Sequence, residues 1–524
     1  MTLTFCNSRT GENGENKLEK LPVIAVKSTN QQGNAVISCD YSLIKDTIDM
    51  ELSSLVSGFD AICLSNQDEA LVTEGNLTVS ENYIGIYSSR AGEYKLFSRK
   101  GDFITNISSR GPGAHEFVIS IYDSYIDEAA NRIYILPMRA GNILVFDLEG
   151  NIQGQIRLAY NAPKGRLVVN TSKKEVIIMA LPFKDGIPSV IWKQDFDGNI
   201  IQEVPAAQYA VEPDFSNEVD RGLNTGYMDF SIFKWGAAAD SLYHYDEDKN
   251  ELNPVFTVRF PGEPLMHEYI ELPGCYLVRM IPEGRPASYP LIYVDKNTLK
   301  GAFIRLNVDF LGGIRGSDWI DFRNGYYITN NYAYSLKEEI ENKLKDQDVD
   351  ANSRERLELI NNSITEDSNN IFFIGRLKTA MSSPAIVDND INIYLQEASP
   401  DKENISKDSD QASSSDEDRV YGLKTDDLKE IKIGYPEGDF KEYFRTNNLY
   451  KDWDSNDKKE VTVVLIIEKD GSASNVRAVT PSGVEKLDNE AIRLIQNMKF
   501  VPTVTLKGKP VRSRYFMPVY FPPQ

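Results

Sequence analysis

The chain has 524 residues, of which 41% are hydrophobic and 10% aromatic, and this composition excludes bulk disorder. The 57 Lys and Arg residues face 78 Asp and Glu residues, and the resulting net charge of −21 argues against nucleic acid as a partner. Four scattered Cys and three His without metal-ligand spacing predict neither a disulfide scaffold nor a metal site, and we expect no cofactor.

The first residues resemble the end of a bacterial lipoprotein signal. Leu3, Thr4 and Phe5 precede Cys6, and a polar stretch rich in Asn, Gly and Glu follows. Five residues are too short for a complete signal peptide, so lipidation of Cys6 requires a start further upstream. The alternative is a cytosolic start with a disordered tail. Residues 1–40 are predicted to be an N-terminal tether in either case.

A strand-like unit recurs from about residue 80 onward. An apolar run, an aromatic or apolar residue and a turn return at positions 97, 146, 196, 245 and 294, at spacings of 49, 50, 49 and 49 residues. A four-stranded sheet cannot bury both faces alone, and about 50 residues per sheet is typical of propeller blades. Segments 322–331 and 369–378 indicate a sixth copy. The pattern predicts a six-bladed β-propeller over residues 41–380.

Two helices are predicted to interrupt the sixth unit, within residues 335–364. Leu336, Ile340 and Leu344 fall on one face of the first helix, and a second apolar stripe follows at Leu357 and Ile360.

Acidic residues and histidines in the repeat region give few signs of chemistry. Asp147, Asp197, Asp246 and Asp295 occur one per unit, which favours a role in hairpin turns over a shared calcium site. His115 next to Glu116 could act as a general base, although a solvated loop pair is the simpler interpretation. His244 and His267 are predicted to be structural.

The stretch from SRKGDF through RGPGAHEF to NRIYIL and VFDLEG, within residues 98–150, resembles the six-bladed β-propeller proteins common in Bacteroidetes. Their loop motif G-x-G-P-G-E-[FY] is matched by Gly111, Pro112 and Gly113, whereas the Glu is displaced to Glu116. These four residues form the candidate loop site of the propeller. The resemblance implies a fold and an envelope location, and it implies no reaction.

Residues 381–430 are predicted to be an acidic linker. The stretch 399–420 holds seven acidic residues and six Ser and lacks aromatic side chains, so it cannot bury enough apolar surface to fold.

The last 94 residues have a different pattern, predicted to be a small α+β domain over 431–524. An apolar strand at 461–467 leads into a DG turn, and after a second strand Leu487, Ala491, Leu494 and Met498 form a helical stripe. The motif V-x-V-x-x-x-I-x-x-DG (461–471), the M-x-F-x-P element at 498–502 and the closing R-x-x-x-P-V-x-F pattern (514–521) resemble the TonB C-terminal domain.

The TonB resemblance implies a periplasmic domain that binds a protein partner, such as an outer-membrane transporter, by adding a strand to its last β-strand. On that strand Arg512, Arg514 and Tyr515 are the candidate partner-binding residues. Residues 461–524 carry nine basic and five acidic side chains, a net charge of +4 that is opposite in sign to the whole chain.

Three functions follow from these patterns. The preferred one is a non-enzymatic, periplasm-facing envelope protein, linked to the membrane only through a lipid anchor, in which the propeller binds a ligand or partner. One alternative is a lyase or lactonase acting on glycans, which requires acidic or His side chains from three or more blades to converge. The other is a TonB-type energy transducer, which requires a membrane helix upstream of this start.

Overall fold

The computed structural model describes residues 2–6, 18–30, 33–73, 75–89, 91–113, 115–233, 241–263, 265–282, 289–317, 319–378, 390–396, 420–421, 431–432, 435–436, 438, 440–453, 458–480, 482, 484–506 and 508–523. It forms two compact units, Met1–Ala398 and Ser399–Gln524. Each unit is described by itself.

The first unit is a six-bladed β-propeller, which confirms the prediction from the repeat. In blades 1 to 5 the four main strands are antiparallel and follow one another along the chain, whereas blade 6 takes its fourth strand from the N-terminal segment. Five strands precede the first complete blade: β1 (Thr2–Cys6), β2 (Ala25–Thr29), β3 (Ala35–Asp40), β4 (Thr47–Glu51) and β5 (Val56–Cys63).

The first three blades contain four strands each. Blade 1 comprises β6 (Gly75–Val79), β7 (Tyr83–Ser88), β8 (Glu93–Ser98) and β9 (Phe103–Ser109). Blade 2 comprises β10 (Ile121–Asp127), β11 (Arg132–Pro137), β12 (Ala140–Phe146) and β13 (Ile152–Ala162). Blade 3 comprises β14 (Gly165–Asn170), β15 (Glu175–Ala180), β16 (Ser189–Asp195) and β17 (Ile200–Pro205).

The remaining blades incorporate strands from the N-terminal segment. Blade 4 comprises β18 (Glu218–Asp220), β19 (Met228–Phe233), β20 (Leu242–Asp246) and β21 (Glu251–Arg259). Blade 5 comprises β22 (His267–Glu271), β23 (Cys275–Met280), β24 (Leu291–Asp295) and β25 (Gly301–Asn307). Blade 6 comprises β26 (Ile320–Arg323), β27 (Tyr326–Asn331), β28 (Ile371–Leu377) and β5, with β29 (Asp390–Tyr394) and β1 added outside β5.

The N-terminal segment follows the outer edges of three successive blades. β3 pairs in parallel with β21 of blade 4, β4 pairs in parallel with β25 of blade 5, and β5 pairs antiparallel with β28 of blade 6. The last of these pairings joins the two ends of the propeller sequence and closes the ring. Residues 25–29 and 35–40, which fall in the range predicted as a tether, are sheet strands, and Ile37 and Cys39 are buried against blades 4 and 5.

In blades 2 to 5, an Asp side chain stabilises the hairpin turn between the third and fourth strands, as predicted. In one of these blades the Asp lies two residues earlier than predicted. Asp147, Asp246 and Asp295 accept backbone N–H groups of their own turns at 2.7–3.1 Å. In blade 3 this role belongs to Asp195, which accepts the N–H groups of Asp197 and Asn199 at 3.0 and 2.9 Å. The expectation for Asp197 is wrong because the strand before this turn ends two residues earlier.

The helical insertion is confirmed as α1 (Ala333–Leu344) and α2 (Ala351–Ser363). The Asp350 carboxylate caps α2 by accepting the N–H of Ser353 at 3.1 Å. Leu336, Ile340, Leu357 and Ile360 are buried in the apolar core that covers blades 5 and 6. The insertion is thus part of the propeller core, packed through its predicted apolar stripes.

The second unit is the predicted α+β domain. Its elements are β30 (Val420–Tyr421), β31 (Ile431–Lys432), β32 (Tyr435–Pro436), α3 (Phe440–Asn447), β33 (Lys459–Ile467), β34 (Ala473–Thr480), α4 (Glu485–Gln496), β35 (Phe500–Val501), β36 (Thr503–Thr505) and β37 (Pro510–Phe521). The main sheet has the order β31-β36-β37-β33-β34. Val461, Val463 and Leu465 of β33 pack against Leu487 and Leu494 of α4. Most of the predicted linker lies outside the described residues, although β29 and β30 fall within its range.

No helix in the described parts of the chain is long and apolar enough to cross a membrane.

Ring closure provides a test of the fold. Phe59 of β5 is 1% exposed, and its ring lies 5.0 Å from that of Phe310 and 5.4 Å from that of Phe373. We expect Phe59→Ala to lower the free energy of unfolding by about 3–5 kcal/mol, because it leaves a cavity at the closing strand. Urea denaturation followed by circular dichroism measures this loss. Val118→Ala is the control, since Val118 is 77% exposed, and an equal loss in both variants would contradict the assignment of β5 as the closing strand.

Candidate functional site

Charged side chains from five blades converge where the first strands of the blades meet. Successive first strands contact one another, as β10 does with β6 and with β14. The acidic members are Asp123 of β10, Asp220 of β18, Glu268 of β22 and Asp321 of β26, and they are contributed by blades 2, 4, 5 and 6. The convergence that the enzyme hypothesis requires is therefore present for carboxylates.

Each of these carboxylates faces a guanidinium group. Arg166 and Arg323 lie 3.0 and 3.1 Å from Asp220, and Arg221 lies 2.9 Å from Asp123. Arg279 is 1% exposed; it bonds to Glu268 and lies 3.8 Å from Asp321. Arginine suits such a cluster because its charge persists on burial and its planar fork serves several acceptors. We call these eight residues the central cluster.

Burial and ion pairing shift the pKa values of Asp220 and Glu268, two neighbouring acids of the central cluster, in opposite directions. Burial opposes ionisation of Asp220, but Arg323 and Arg166 outweigh it and lower its pKa. Burial raises the pKa of Glu268 well above the usual range, and this effect exceeds the opposing attraction of Arg279. The two side chains are hydrogen-bonded. Their hydrogen bond contributes to both shifts, because it raises the pKa of Glu268 and lowers that of Asp220.

The central cluster has little free space. The cavity between its blade 4, 5 and 6 members has a volume of about 10 Å³, which holds no more than about one water molecule. Among the described residues, no group of three or more His, Cys, Asp or Glu side chains is arranged to hold a metal ion. In this arrangement the carboxylates join blades through contacts with guanidinium groups, and the space between Asp220, Glu268 and Asp321 is too small for a substrate.

The GPG loop is stabilised by its own glutamate. The Glu116 carboxylate accepts the N–H of Gly113 at 2.8 Å, and the Ser108 hydroxyl donates to the carbonyl of His115 at 2.7 Å. A Cβ atom at Gly111 would lie 2.0 Å from the Glu116 carboxylate, so a larger residue there would displace this side chain. Gly111, Pro112, Gly113 and Glu116 therefore form a folded loop, and Glu116 has a structural partner instead of serving His115 as a catalytic one.

His244 has a partner that the sequence did not reveal. Its Nε2 lies 2.5 Å from the Glu271 carboxylate, and its ring stacks on Tyr227 at 4.3 Å. Burial opposes ionisation of Glu271, but His244 and Lys296, whose Nζ lies 2.6 Å away, lower its pKa. The three side chains connect blades 4 and 5. The structural role expected for His244 fits this geometry, whereas Glu271 belongs to the next blade and no local signal identifies it.

The three cysteines whose side chains are described are buried and free: Cys39, Cys63 and Cys275. Burial raises the pKa of each thiol to about 12, so these groups are unreactive at neutral pH.

In the second unit, the candidate residues on the last strand have different surroundings. Arg512 donates to Glu468 at 2.8 and 3.0 Å, next to the point where β30 pairs with β37. Tyr515 is partly buried against the core, where its ring lies 6.1 Å from that of Phe500, and it also lines the apolar groove beside this strand. The backbone of Arg514 pairs with Ile466 of β33, and its side chain lies outside the described residues. Arg512 and Tyr515 thus have partners within the domain.

Beside the second half of β37 lies an apolar groove, with a volume of about 250 Å³. Phe440 and Phe444 of α3 form one wall, and Met517 and Tyr520 lie on the strand side. Phe440 is 40% exposed. Sequence analysis missed this groove because its two walls are separated by the whole β33–α4 segment and meet only in the folded domain.

The raised pKa of Glu268 predicts a pH dependence of stability. A carboxyl group whose pKa is raised by folding contributes to the stability of the folded protein at low pH. This contribution is complete below the unfolded pKa of about 4.3, and it is lost as the pH rises through the higher folded pKa. The melting temperature should therefore fall between about pH 5 and pH 9, and Glu268→Gln should reduce the fall. Differential scanning calorimetry measures both profiles. Glu263→Gln, an exposed change in the loop before the same strand, should reproduce the wild-type profile; a Glu268→Gln profile parallel to wild type would refute the assignment.

Comparison with known proteins identifies both units. Residues 26–181 match the DUF5128 family model, described as a 6-bladed beta-propeller, and residues 458–523 match the C-terminal domain of the Gram-negative bacterial TonB protein. No curated protein matches the chain.

Solved structures share at most their fold with this chain. A protein of Bacteroides fragilis NCTC 9343 is 15% identical, with a TM-score of 0.44, over 66% of this chain and 100% of its own length. A DUF4221 member from Bacteroides vulgatus is 11% identical, with a TM-score of 0.35, over 62% and 98% of the two chains. Hydrazine synthase of Kuenenia stuttgartiensis is 10% identical, with a TM-score of 0.34, over 60% and 88%. The two family matches agree with the folds of the two units: residues 26–181 match a six-bladed β-propeller family, and residues 458–523 match the TonB C-terminal domain.

Proposed function

We propose that this protein is a non-enzymatic binding protein of the Gram-negative cell envelope whose TonB-type domain takes up an extended segment of a partner protein along the second half of β37. The observation that carries the proposal is the apolar groove next to an open strand edge. The TonB C-terminal match supports the envelope location.

One edge of β37 is available over half of its length. β33 pairs with residues 513–521 on one side of the strand. On the other side, β36 and β30 pair only with residues 510–513 in the described parts of the chain. Pro518 lacks an N–H, and proline inside a sheet is confined to edges of this kind. An extended peptide can therefore add to the strand and gain backbone hydrogen bonds.

The groove supplies the side-chain selectivity that backbone pairing lacks. An added strand beside residues 514–521 would place alternate side chains toward Phe440 and Met517. The positive charge of residues 461–524 favours a partner segment that is acidic or neutral. A periplasm-facing segment of an outer-membrane transporter has the required accessibility, which connects the domain to transmembrane transport.

The propeller is proposed to be the second binding platform. Its central cluster is closed by arginine pairs, which argues against the lyase or lactonase alternative at this position. Ligands would bind at the faces of the ring, where the loops between strands are exposed.

A charge in the groove tests the docking proposal. Phe440→Glu should weaken binding of an extended peptide by about tenfold, because a carboxylate replaces an apolar contact surface in a desolvated groove. Full-length protein is titrated by fluorescence anisotropy with labelled peptides from the periplasm-facing segments of the organism's outer-membrane transporters. Leu449→Glu is the matched control, since Leu449 is an exposed apolar residue (73%) of the same domain outside the groove. Binding that both variants retain would contradict the proposed site.

Membrane attachment is proposed to occur through Cys6. The Leu-Thr-Phe-Cys sequence supports this proposal, together with the TonB-type domain. Processing at Cys6 would remove Thr2–Phe5, which form most of β1. Because β1 is the outermost strand of its sheet, the other five strands of that sheet would stay paired.

Lipidation can be measured directly. Expressed from its native locus, the wild-type protein should incorporate labelled palmitate and sediment with membranes, and Cys6→Ser should lose both properties. Cys39→Ser is the control, because Cys39 is buried in the propeller. A Cys6→Ser protein that still sediments with membranes would contradict lipid anchoring at this position.

A further inference from the structure

A large cleft lies on the propeller between blades 6 and 1. Its volume is about 580 Å³, within the range of roughly 300–1,000 Å³ that is typical of small-molecule sites. One side is formed by Asn76 and Leu77 of β6, and the other by Trp319, by Asn330 of β27 and by Ser335 at the start of α1. The helical insertion thus contributes a wall of this cleft in addition to its apolar packing.

Trp319 presents a fixed aromatic surface in the cleft. Its side chain is 41% exposed, although the guanidinium of Arg279 lies 4.1 Å from the ring centre on one side. The indole Nε1 donates to Asp321 at 3.2 Å, and the ring of Tyr289 meets it edge-on at 5.0 Å. Three contacts therefore hold the indole, and its accessible area lies away from the buried Arg279. A side chain held in this way loses little rotamer entropy when a ligand binds to it.

Short polar side chains surround this aromatic surface. The Asn330 carbonyl oxygen accepts from Asn370 at 2.8 Å, and the two amide hydrogens of Asn330 bond to no described residue. Asn76 is exposed and makes only a 3.5 Å contact to the Ile121 carbonyl. The hydroxyl of Ser317 accepts the N–H of Trp319 and keeps its own hydrogen for donation. These groups can donate to and accept from hydroxyl groups of a ligand.

The charges in the cleft disfavour ionic ligands. Among its described lining residues there is no Lys or Arg, while Asp321 and Glu339 are acidic. An anionic ligand would therefore face two carboxylates without a lining cation. Both carboxylates are already engaged: Glu339 accepts the N–H groups of Arg315 and Gly316 at 2.7 and 3.0 Å, and Asp321 accepts the indole N–H. They consequently offer little attraction for a cation.

We infer that this cleft binds an uncharged saccharide, with one pyranose ring lying on the exposed side of Trp319. A pyranose combines an apolar C–H surface, which complements the negative face of an indole, with a rim of hydroxyl groups, which complements Asn and Ser side chains. Its neutrality matches the charge pattern of the lining. This inference concerns only the propeller and does not depend on the proposed docking groove.

Binding is tested on the full-length protein with a panel of sugars. The neutral probes are cellobiose, maltose and N,N′-diacetylchitobiose, and the anionic probes are glucuronic acid and sialyllactose. Saturation-transfer difference NMR detects binding, and calorimetric titration measures affinity. We expect at least one neutral disaccharide to bind, and the anionic sugars to bind about tenfold more weakly or not at all.

Variants connect the binding to the cleft. Trp319→Ala should weaken the affinity by about tenfold, and Trp319→Phe by less, since an aromatic surface is kept. Tyr227→Ala is the matched control, because Tyr227 is a more exposed aromatic residue (61%) outside the cleft. Should Trp319→Ala lose its folded circular dichroism spectrum, Ser335→Trp tests the same site by filling the cleft, and it should abolish binding.

Three results would overturn the inference. They are the absence of binding by every neutral saccharide at millimolar concentration, equal or tighter binding of the anionic sugars, and neutral-sugar binding that survives Ser335→Trp. Binding of apolar peptides in place of sugars, lost in Trp319→Ala, would assign the cleft to a different ligand class and would also refute the proposal.

Discussion

The propeller depends on the pairing of β5 with β28. A four-stranded sheet with two apolar faces is unstable alone, so each blade must be covered on both sides by its neighbours. That condition can be met for all six blades only if the ring closes, and closure brings residues 56–63 next to residues 371–377. The strands before β5 also cover sheet edges. β3 and β4 pair with the outer strands of blades 4 and 5, so fewer backbone groups remain unpaired there.

Closing the ring creates a second constraint at its centre. The first strands approach one another there, and the polar side chains they carry lose water. Asp123, Asp220 and Glu268 would be costly to bury alone, and each is compensated by a guanidinium from a neighbouring strand or blade. Arg279 extends this arrangement outward, since it bonds to Glu268 and also supports the indole of Trp319. The rigidity of the proposed sugar-binding surface thus originates in the charge pairing at the centre of the ring.

Features encoded locally could be predicted from the sequence, and features assembled from distant segments could not. The blade period, the turn aspartates and the stripes of α1 and α2 each depend on residues within one unit. In contrast, β3 lies in the range predicted as a tether, and one of its two strand partners is β21 of blade 4, far along the chain. The same reason explains the missed groove and cleft. Nothing in the sequence indicates that Trp319 and Ser335 lie close together. They line one cleft because β26, β27 and α1 bring them together in the fold.

The two units offer two kinds of recognition. In the proposed function, an extended segment pairs with backbone groups at the edge of β37, and the groove beside Phe440 restricts the choice of segment. The cleft beside Trp319 presents side chains from three separate elements, and its selectivity depends on the arrangement of an indole, amides and hydroxyls. The two units also differ in charge, since residues 461–524 carry a net positive charge while the chain as a whole is acidic. A protein with both sites can bind a soluble ligand through side chains while it holds a protein partner through its backbone, and neither contact has to compete for the surface that the other uses.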